Sequence, residues 1–361
     1  MGAVERNCRR LKDTVGDGTE LCAVVKANGY GHGAAVCAAA ALRGGASRLA
    51  VAASAEAEAL RLHFADAPLL VMGALTEAEL RQALASGADV AVWREDFRDL
   101  CSRVAGELGR RAGVHLKLDS GMGRLGERDP SALIALARAT AGDERLELAG
   151  VWTHFATADE RDDDFLDQQL GAFGPVAEAV RELAPECVVH AANSAATLRD
   201  PATHFDMVRC GIAIYGLDPF HRDPDEHGLE PALELHSYVA DVKRFERGAS
   251  AGYGRTWRAA EDTWVGVLPI GYGDGVRRGL SNNAEVLVAG RRYPLVGTVS
   301  MDNVTIDLGP ETDVEAGAPA VLIGKQGSER ILAEDVAARL GTINYEVTCG
   351  ISQRVPREVT E

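Results

Sequence analysis

A lysine occupies an unusual position near the start of the chain. Lys26 directly follows the apolar run at 21–25 and precedes the glycine-rich stretch ANGYGHG at 27–33. An apolar run bounded by turn residues is typical of a strand covered on both faces. At the end of such a strand, a lysine is either a solvated side chain or a nucleophile that attaches covalently to a carbonyl group.

Other polar residues with chemical potential also follow short apolar runs. They are Lys117, Asp119 and Arg124 after one run, His154 after the next, Asn193 and Ser194 after another, and Arg209 and Gly211 after the last. Each has a structural interpretation as well. His154 suits a hydrogen-bonded core histidine, Ser194 a helix N-cap, and Arg209 an ordinary ion pair. Residue type alone leaves both interpretations open.

The apolar runs number eight and alternate with helical patterns. They occupy residues 21–25, 48–53, 68–73, 89–93, 114–119, 148–154, 187–193 and 205–210. This alternation favours a closed (β/α)8 TIM-type barrel over a doubly wound sheet, because closure pairs every strand and covers the outside with helices. Barrel enzymes carry their chemistry at the carboxyl ends of the strands, so the polar residues are expected to converge there.

The character of the sequence changes after about residue 227. Short β-rich runs separated by Gly, Asp and Pro fill the remainder of the chain. We therefore predict an N-terminal barrel over residues 1–228 and a C-terminal mainly-β domain over residues 229–361. The polar, proline-rich segment 218–231 is the expected link between them.

Composition narrows the class of partner. The net charge is −16, from 38 basic and 54 acidic residues, which argues against a nucleic acid or an anionic membrane. The seven cysteines are dispersed and never form a CxxC pattern, so we predict reduced core thiols in the cytoplasm and no metal site. No apolar stretch suits a membrane span or a signal peptide. A small-molecule substrate is expected.

The residues that follow the predicted barrel strands also indicate a cofactor. Strands seven and eight of such barrels commonly form a phosphate site, and Ser194, Gly211 and Ile212 would lie there. A phosphate site together with Lys26 suits a phosphorylated aldehyde cofactor, for which pyridoxal 5′-phosphate is the candidate.

Nine segments of the chain carry short motifs: AVVKANGYGHG (23–33), KLDSGMGRLG (117–126), THFA (153–156), ANSAA (192–196), VRCGIAIYG (208–216), GYGRTW (252–257), GYGDG (271–275), VSMDN (299–303) and INYEVTC (343–349). These segments resemble motifs of one known family, the alanine racemases, which are fold-type III pyridoxal phosphate enzymes. They occur in the expected order over nearly the whole chain. Decarboxylases and small cofactor-carrier barrels share the lysine motif, whereas GYGRTW and SMDN are much more specific.

The resemblance implies two catalytic bases. Lys26 is implied as the cofactor lysine and one base, and Tyr253 as the second base, which reaches the site from the partner subunit of a homodimer. Two bases on opposite faces are the simplest arrangement for racemisation, because a proton leaves one face of the α-carbon and returns to the other.

The resemblance also implies contacts for the cofactor and the substrate. Implied cofactor contacts are Lys26, Tyr30, His154, Ser194, Arg209, Gly211, Ile212 and Tyr345; implied substrate contacts are Arg124 and Met301; Lys117, Tyr272 and Asp302 are implied in support and at the entrance. Arg209 resembles the arginine bonded to the pyridine nitrogen, with His154 behind it. Lys117 stands where many members carry a carbamylated lysine that orients Arg124.

The implied activity is interconversion of L-alanine and D-alanine, which supplies D-alanine for peptidoglycan. One alternative is a related racemase for serine or for a broader range of amino acids. Tyr345 favours a small substrate, because its ring would crowd a longer side chain. The other alternative is a non-catalytic cofactor-binding barrel protein, which would resemble only the barrel half and would lack Tyr253.

Overall fold

The eight predicted strands form a closed parallel barrel in the computed structural model, which describes residues 1–360. The strands are β1 (Glu20–Val24), β2 (Arg48–Val51), β3 (Leu69–Val71), β4 (Asp89–Val92), β5 (Ala112–Lys117), β6 (Leu146–Trp152), β7 (Val188–His190) and β8 (Met207–Cys210). Each strand pairs with the next, and β1 pairs with β8 with Cys22 opposite Arg209. The barrel prediction is confirmed.

One helix precedes β1, and the other helices follow the strands around the barrel. They are α1 (Gly2–Val15), α2 (Lys26–Tyr30), α3 (Ala34–Arg43), α4 (Ser54–Arg61), α5 (Glu77–Ala85), α6 (Glu95–Glu107), α7 (Pro130–Ala141), α8 (Phe165–Leu183) and α9 (Ser194–Arg199). Their starts are encoded locally. At α5, Thr76 Oγ1 accepts from the Glu79 amide and the Glu79 carboxylate accepts from the Thr76 amide, which forms a capping box. At α7, Pro130 follows the capping Asp129.

The barrel core is built from the strands themselves. Residues 21–24 of β1 are all buried, as are Leu49, Leu70 and Leu116 on three other strands. Burial of both faces explains why the strands read as continuous apolar runs rather than as alternating ones. This core belongs to a compact unit of residues 1–220 and 225–230.

The second compact unit comprises residues 221–224 and 231–360 and is mainly β, as predicted. Its elements are β9 (Leu235–Tyr238), β10 (Asp241–Phe245), β11 (Ser250–Ala251), β12 (Trp257–Arg258), β13 (Thr263–Leu268), β14 (Ala284–Val288), β15 (Arg291–Val296), β16 (Val304–Gly309), β17 (Pro319–Gln326), β18 (Glu329–Ile331), α10 (Ala333–Leu340) and α11 (Asn344–Cys349). The main antiparallel sheet has the order β10-β13-β16-β15-β14-β17-β18, and β9 also pairs with β17.

Local turn chemistry and a small core shape this β domain. Ala289 and Gly290 join β14 to β15 with φ of 50° and 73°, which are the positive values that a two-residue hairpin turn requires. Leu287, Val321 and Ile331 form a buried cluster against which α10 packs. Within residues 1–360, every helix is too short or too polar to cross a membrane.

Candidate active site

Lys26 begins a left-handed turn directly after β1. Ala27, Asn28 and Tyr30 have φ of 52°, 53° and 52°, and Gly29 has φ of 63°. Residues other than glycine rarely adopt such values, and strain of this kind concentrates at functional sites. The turn changes the direction of the chain within these four residues. Lys26, at the start of the turn, is half-buried, and Tyr30, at its end, is buried in the barrel unit.

A cradle of polar groups lies beyond the ends of β7 and β8. Ser194 Oγ lies 3.0 Å from the Gly211 amide nitrogen and 3.3 Å from the Ala213 amide nitrogen. A Cβ atom on Gly211 would lie only 2.3 Å from Tyr30 Oη, so glycine leaves the space that the tyrosine hydroxyl occupies. Ile212 is buried between the two amides. Hydroxyls and successive backbone amides that converge in this way suit a phosphate group.

Ser194 is available for this cradle because a neighbour caps the helix. Asn193 Oδ1 accepts from the Ala196 amide at 2.9 Å and serves as the N-cap of α9. The N-cap interpretation of Ser194 is therefore wrong, and its hydroxyl faces the residues that follow β8 instead.

Arg209 lies at the centre of a buried polar cluster. Its Nη atoms donate to the Thr153 and Ala191 carbonyls and to His190 Nδ1 at 2.9 Å, and to His154 Nδ1 at 3.2 Å. Burial lowers the pKa of Arg209 to about 10, so the side chain is still a cation at neutral pH. An arginine held in this way is a rigid hydrogen-bond donor.

The alternative role of Arg209, an ordinary ion pair, is not what the structure contains. Asp206, the nearest carboxylate in sequence, pairs with Arg181 at 2.6 Å. The Asp206 carboxylate also accepts from the Val189 amide at 2.8 Å, which ties it to β7.

Two further basic groups are influenced by Arg209. Burial, followed by the charges of Arg209 and Arg124, lowers the pKa of Lys117 to about 8. Burial and then Arg209 hold the pKa of His154 well below its usual value, so this imidazole is neutral. The Trp152 ring lies 4.4 Å from Lys117 Nζ and 4.7 Å from Arg209 Cζ. The site therefore accumulates positive charge, which attracts anionic ligands.

The loop after β5 presents Arg124. Asp119 Oδ1 accepts from the Gly121 and Gly123 amides at 3.2 Å and 2.9 Å, which curls the chain immediately before Arg124. Arg124 itself is exposed, and its charge acts on Lys117.

The remaining predicted site residues lie in the β domain, on loops or, for Tyr345, in α11. Tyr253 is 74% exposed, and its carbonyl accepts from Thr298 Oγ1 at 2.8 Å. The Tyr272 amide donates to the Ser300 carbonyl at 3.0 Å, so both tyrosine loops are attached to the segment 298–303. Tyr345 is half-buried in α11.

Arg354 holds the Met301 loop. Its guanidinium lies 2.7 Å from Asp274 Oδ1 and 2.7 Å from Asp302 Oδ1, and one Nη donates to the Met301 carbonyl at 3.4 Å. Met301 is 52% exposed, so the backbone rather than the side chain is anchored here.

The predicted site residues divide between the two compact units of the structure. The barrel group is Lys26, Tyr30, Lys117, Arg124, His154, Ser194, Arg209, Gly211 and Ile212. The β-domain group is Tyr253, Tyr272, Met301, Asp302 and Tyr345.

Sequence reasoning missed four residues linked to these groups. Trp152, His190 and Arg354 contact group members directly, and His115 contacts His190. One signal was available for His115. His115 and Lys117 alternate along β5, and side chains two apart on a strand point to the same face. Nothing comparable in the local pattern indicated Arg354.

Family models match both compact units. The model described as "Alanine racemase, N-terminal domain" matches residues 1–219, and the model described as "Alanine racemase, C-terminal domain" matches residues 232–359. Together they account for nearly all of the chain.

Individual relatives and solved structures agree with these matches. An alanine racemase of Symbiobacterium thermophilum is 42% identical over 99% of this chain and 94% of its own length, and one of Geobacillus kaustophilus is 42% identical over 99% and 92%. The crystal structure of alanine racemase from E. faecalis superposes with a TM-score of 0.91 at 37% identity, covering 99% of this chain and 95% of that one. The structure of alanine racemase from Bacillus anthracis with bound L-Ala-P gives 0.89 at 39% identity, with 98% and 91% covered. The chain belongs to the alanine racemase family.

Proposed function

We propose that this protein is an alanine racemase that interconverts L-alanine and D-alanine with pyridoxal 5′-phosphate. The observation that carries the proposal is the arrangement at the carboxyl ends of the barrel strands. The Lys26 turn follows β1, Ser194 and Gly211 follow β7 and β8, and the buried Arg209 cation lies on β8, which supports a shared site.

The donor set of the barrel group fits pyridoxal phosphate. Ser194 Oγ accepts from the Gly211 and Ala213 amides, so its own hydroxyl proton would donate to a phosphate, as would the Tyr30 hydroxyl that lies in the space left by Gly211. Arg209 presents a cationic donor for the pyridine nitrogen, and Lys26 an amine for the aldehyde. When bound, this cofactor withdraws electrons from the amino acid and acidifies the hydrogen on its α-carbon.

Two side chains of this protein move the proton in the proposed mechanism. Lys26 takes or returns the α-hydrogen on one face of the substrate, and Tyr253 of a second copy does so on the other face. Racemisation follows because whichever base removes the proton, the opposite one returns a proton to the other face.

Arg209 and His154 set the electrostatics of the reaction. Since the guanidinium retains its proton at neutral pH, Arg209 would donate a hydrogen bond to the pyridine nitrogen of a bound cofactor without protonating it. By leaving that nitrogen unprotonated, Arg209 would weaken electron withdrawal and disfavour side reactions such as transamination. The neutral His154 accepts from Arg209 through Nδ1, so its proton resides on Nε2.

Arg124 and the Met301 backbone are the proposed partners of the substrate carboxylate. The guanidinium of Arg124 is exposed, whereas that of Arg209 is buried. Lys117 lies close enough to Arg124 for the two charges to interact. Lys117, with its pKa of about 8, holds an appreciable fraction of neutral amine in mildly alkaline solution. Carbamylation requires such an amine, and a carbamylated Lys117 would orient Arg124 by charge.

The loops of the β domain are proposed to form the substrate entrance. Tyr272 and Asp302 lie on exposed loops, and Arg354 anchors Asp302. Tyr345 would restrict the site to small side chains, which favours alanine over longer amino acids. In this proposal, residues 1–228 bind the cofactor and residues 229–361 serve the partner subunit of a homodimer.

We place the reaction in the cytoplasm, where D-alanine would be supplied for peptidoglycan. All seven cysteines are free thiols, which suits a reducing compartment. Burial raises the pKa of Cys22, Cys37 and Cys101 to about 12, so these thiols stay protonated and chemically quiet.

The first experiment measures racemisation and α-hydrogen exchange in D2O from both enantiomers of alanine, serine and lysine. We expect alanine to be the preferred substrate and Lys26→Ala to lose at least about a thousandfold in kcat. The control is Lys243→Ala, which removes an exposed lysine of the β domain. Undiminished racemisation by Lys26→Ala would refute the catalytic assignment, and a preference for serine would favour the alternative racemase.

The second experiment tests whether Tyr253 serves a second copy. Lys26→Ala and Tyr253→Ala are each expected to be inactive, yet a heterodimer of the two retains one intact site. Random mixing makes half of the dimers heterodimers, so a 1:1 co-refolded mixture should regain about a quarter of wild-type activity. If Tyr253 acted within its own chain, the mixture would stay inactive.

A further inference from the structure

A chain of polar side chains runs through the barrel from its amino-terminal end to Arg209. Arg48 Nη1 lies 2.5 Å from Asp89 Oδ2, and the same Asp89 oxygen lies 3.4 Å from His115 Nε2. His115 Nδ1 lies 2.9 Å from His190 Nε2, and His190 Nδ1 lies 2.9 Å from Arg209 Nη1. Because β5 and β7 are not neighbours, the two histidines meet only across the barrel interior.

The barrel interior leaves room for this chain at two glycines. A Cβ atom on Gly150 of β6 would lie 2.1 Å from His115 Nδ1, and one on Gly113 of β5 would lie 2.0 Å from Asp89 Oδ1. Any larger residue at either position would displace the polar side chains. The Trp152 ring completes the enclosure, since it stacks on His190 with centroids 5.6 Å apart and planes 8° from parallel.

Hydrogen-bond chemistry determines the tautomers of both histidines. Each histidine is fully buried, and burial is the largest influence that lowers the pKa of each, so both rings are neutral. Arginine only donates, so His190 accepts through Nδ1 and carries its proton on Nε2. His115 must then accept through Nδ1 and donate from Nε2 to Asp89.

We propose that Asp89, His115 and His190 form a positioning chain for Arg209, in which every hydrogen bond points toward Asp89 and the Asp89 carboxylate balances the buried guanidinium from a distance. The proposal rests on the proposed function of Arg209 at the cofactor ring. It assigns positioning roles to three residues that touch neither the substrate nor the cofactor.

The contacts of Arg209 explain why a remote carboxylate matters. Its hydrogen bonds go to two carbonyls and two neutral imidazoles, which do not neutralise its charge. If His190 carried its proton on Nδ1, two donors would face each other at 2.9 Å and the guanidinium would turn away. The chain excludes that tautomer, because His115 offers only an acceptor to His190.

The first test compares two substitutions of His115 in the pyridoxal phosphate-loaded enzyme. His115→Phe retains a ring but removes the acceptor for His190, so kcat should fall about tenfold to hundredfold, with the KM for alanine nearly unchanged. His115→Asn keeps an oxygen near the position of Nδ1 and should recover most of the lost kcat. His204→Phe is the control, because His204 is a buried histidine of the barrel that bonds the Thr197 carbonyl, outside the chain.

The second test leaves every polar group in place. Gly150→Ala would push the His115 ring aside and should lower kcat as His115→Phe does. Gly171→Ala, in α8 where a Cβ atom meets nothing within 4 Å, should leave kcat unchanged. Activities are normalised to folded protein by circular dichroism. The positioning role is overturned if Gly150→Ala and His115→Phe both fold and keep wild-type kcat.

The third measurement does not depend on activity. In protein labelled with 15N-histidine and freed of cofactor, NMR should report the Nε2–H tautomer for His115 and His190 at pH 7, and a changed state of His190 in His115→Phe. A protonated ring or an Nδ1–H tautomer at His190 would overturn the proposed chain. The NMR spectrum reports the hydrogen-bonded chain directly and does not depend on activity. Failure of the racemase assignment would instead appear in the activity assay of the wild-type enzyme, so the two failures can be distinguished.

Discussion

Within residues 1–360, buried charges are paired at one end of the barrel and lack an anionic partner at the other. At the amino-terminal ends of the strands, Arg48 and Asp89 form an ion pair. Burial by itself raises the pKa of Asp89, but hydrogen bonding to His115 and the charge of Arg48 outweigh it, so the pKa is lowered. At the carboxyl ends, burial instead lowers the pKa of Arg209 to about 10 and of Lys117 to about 8.

This difference indicates which end is built for a ligand. A paired charge stabilises the fold, whereas cations gathered in a buried site oppose one another until an anion arrives. The contrast is sharper because the whole chain carries a net charge of −16. The positive mouth of the barrel is therefore a local exception, and it suits a phosphate and a carboxylate.

Among substitutions that test the comparison of the two barrel ends, Arg209→Lys should have the largest effect, because it keeps the positive charge but loses the planar set of guanidinium donors. A lysine cannot contact two carbonyls and two imidazoles together. We expect kcat for alanine to fall about 100- to 1,000-fold, similar to loss of a preorganised donor in other enzymes. Steady-state kinetics and urea denaturation measure activity and stability separately. Wild-type kcat in this variant would show that charge alone suffices.

Lys117→Met should raise the free energy of unfolding at pH 7 in bicarbonate-free buffer. The pKa of Lys117 falls from 10.5 to about 8 on folding. Between these two pH values the unfolded chain therefore binds more protons than the folded chain, so the stability of the wild type rises with pH. Below this window, the full free-energy cost of burying the charged Lys117 is present. The gain for Lys117→Met is at most roughly 3 kcal/mol at pH 7.

Denaturation at pH 7 and pH 10 checks this prediction. The advantage of Lys117→Met over the wild type should shrink at the higher pH. Lys325→Met, at an exposed lysine of β17, is the control and should show no such pH dependence. If the free energies of unfolding of Lys117→Met and the wild type differed equally at both pH values, burial of the charged Lys117 would not be the cause of the difference.

Arg48→Met tests the opposite end of the barrel and should be destabilising. Removing the partner of Asp89 should cost about 2 kcal/mol at pH 7, because the hydrogen bond involves two charged groups that are partly buried. Since the pKa of Asp89 is lowered on folding, its contribution is present above about pH 3.9 and is lost as the pH falls through the folded value. Urea denaturation at pH 7 and at about pH 2.5 should show a smaller difference in unfolding free energy between variant and wild type at the lower pH, and a difference that grew would exclude the pair as its source.

Arg103→Gln should have the smallest effect. Arg103 and Glu107 form an i,i+4 pair on the exposed face of α6, with side chains 49% and 40% exposed. Solvent screens such pairs, so the urea midpoint should match the wild type within experimental error. A clear loss of stability would mean that exposed ion pairs of this barrel stabilise the fold as much as the partly buried Arg48–Asp89 pair does.

Local patterns predicted much of this architecture, and the misses have physical causes. All eight barrel strands overlap the apolar runs, although β1, β5 and β6 begin one or two residues earlier, because strands buried on both faces are mostly apolar. The polar residues that follow the runs gather at one end because parallel strands align their carboxyl ends. The left-handed turn at 27–30 was not predicted, since Ala27 and Asn28 adopt positive φ against their own preference. The cap of α9 falls on Asn193 rather than Ser194, a choice that depends on backbone angles.

By itself, the sequence determined the order of strands and helices, the β domain and the set of residues that resemble the alanine racemases. These properties depend on apolar periodicity and on short motifs, which are local. Only the tertiary structure decided that His115 meets His190 across the barrel, 75 positions away, and that the pair leads to Arg209. The reason is geometric: barrel closure brings β5, β7 and β8 around one interior, and no single segment encodes the distance between them.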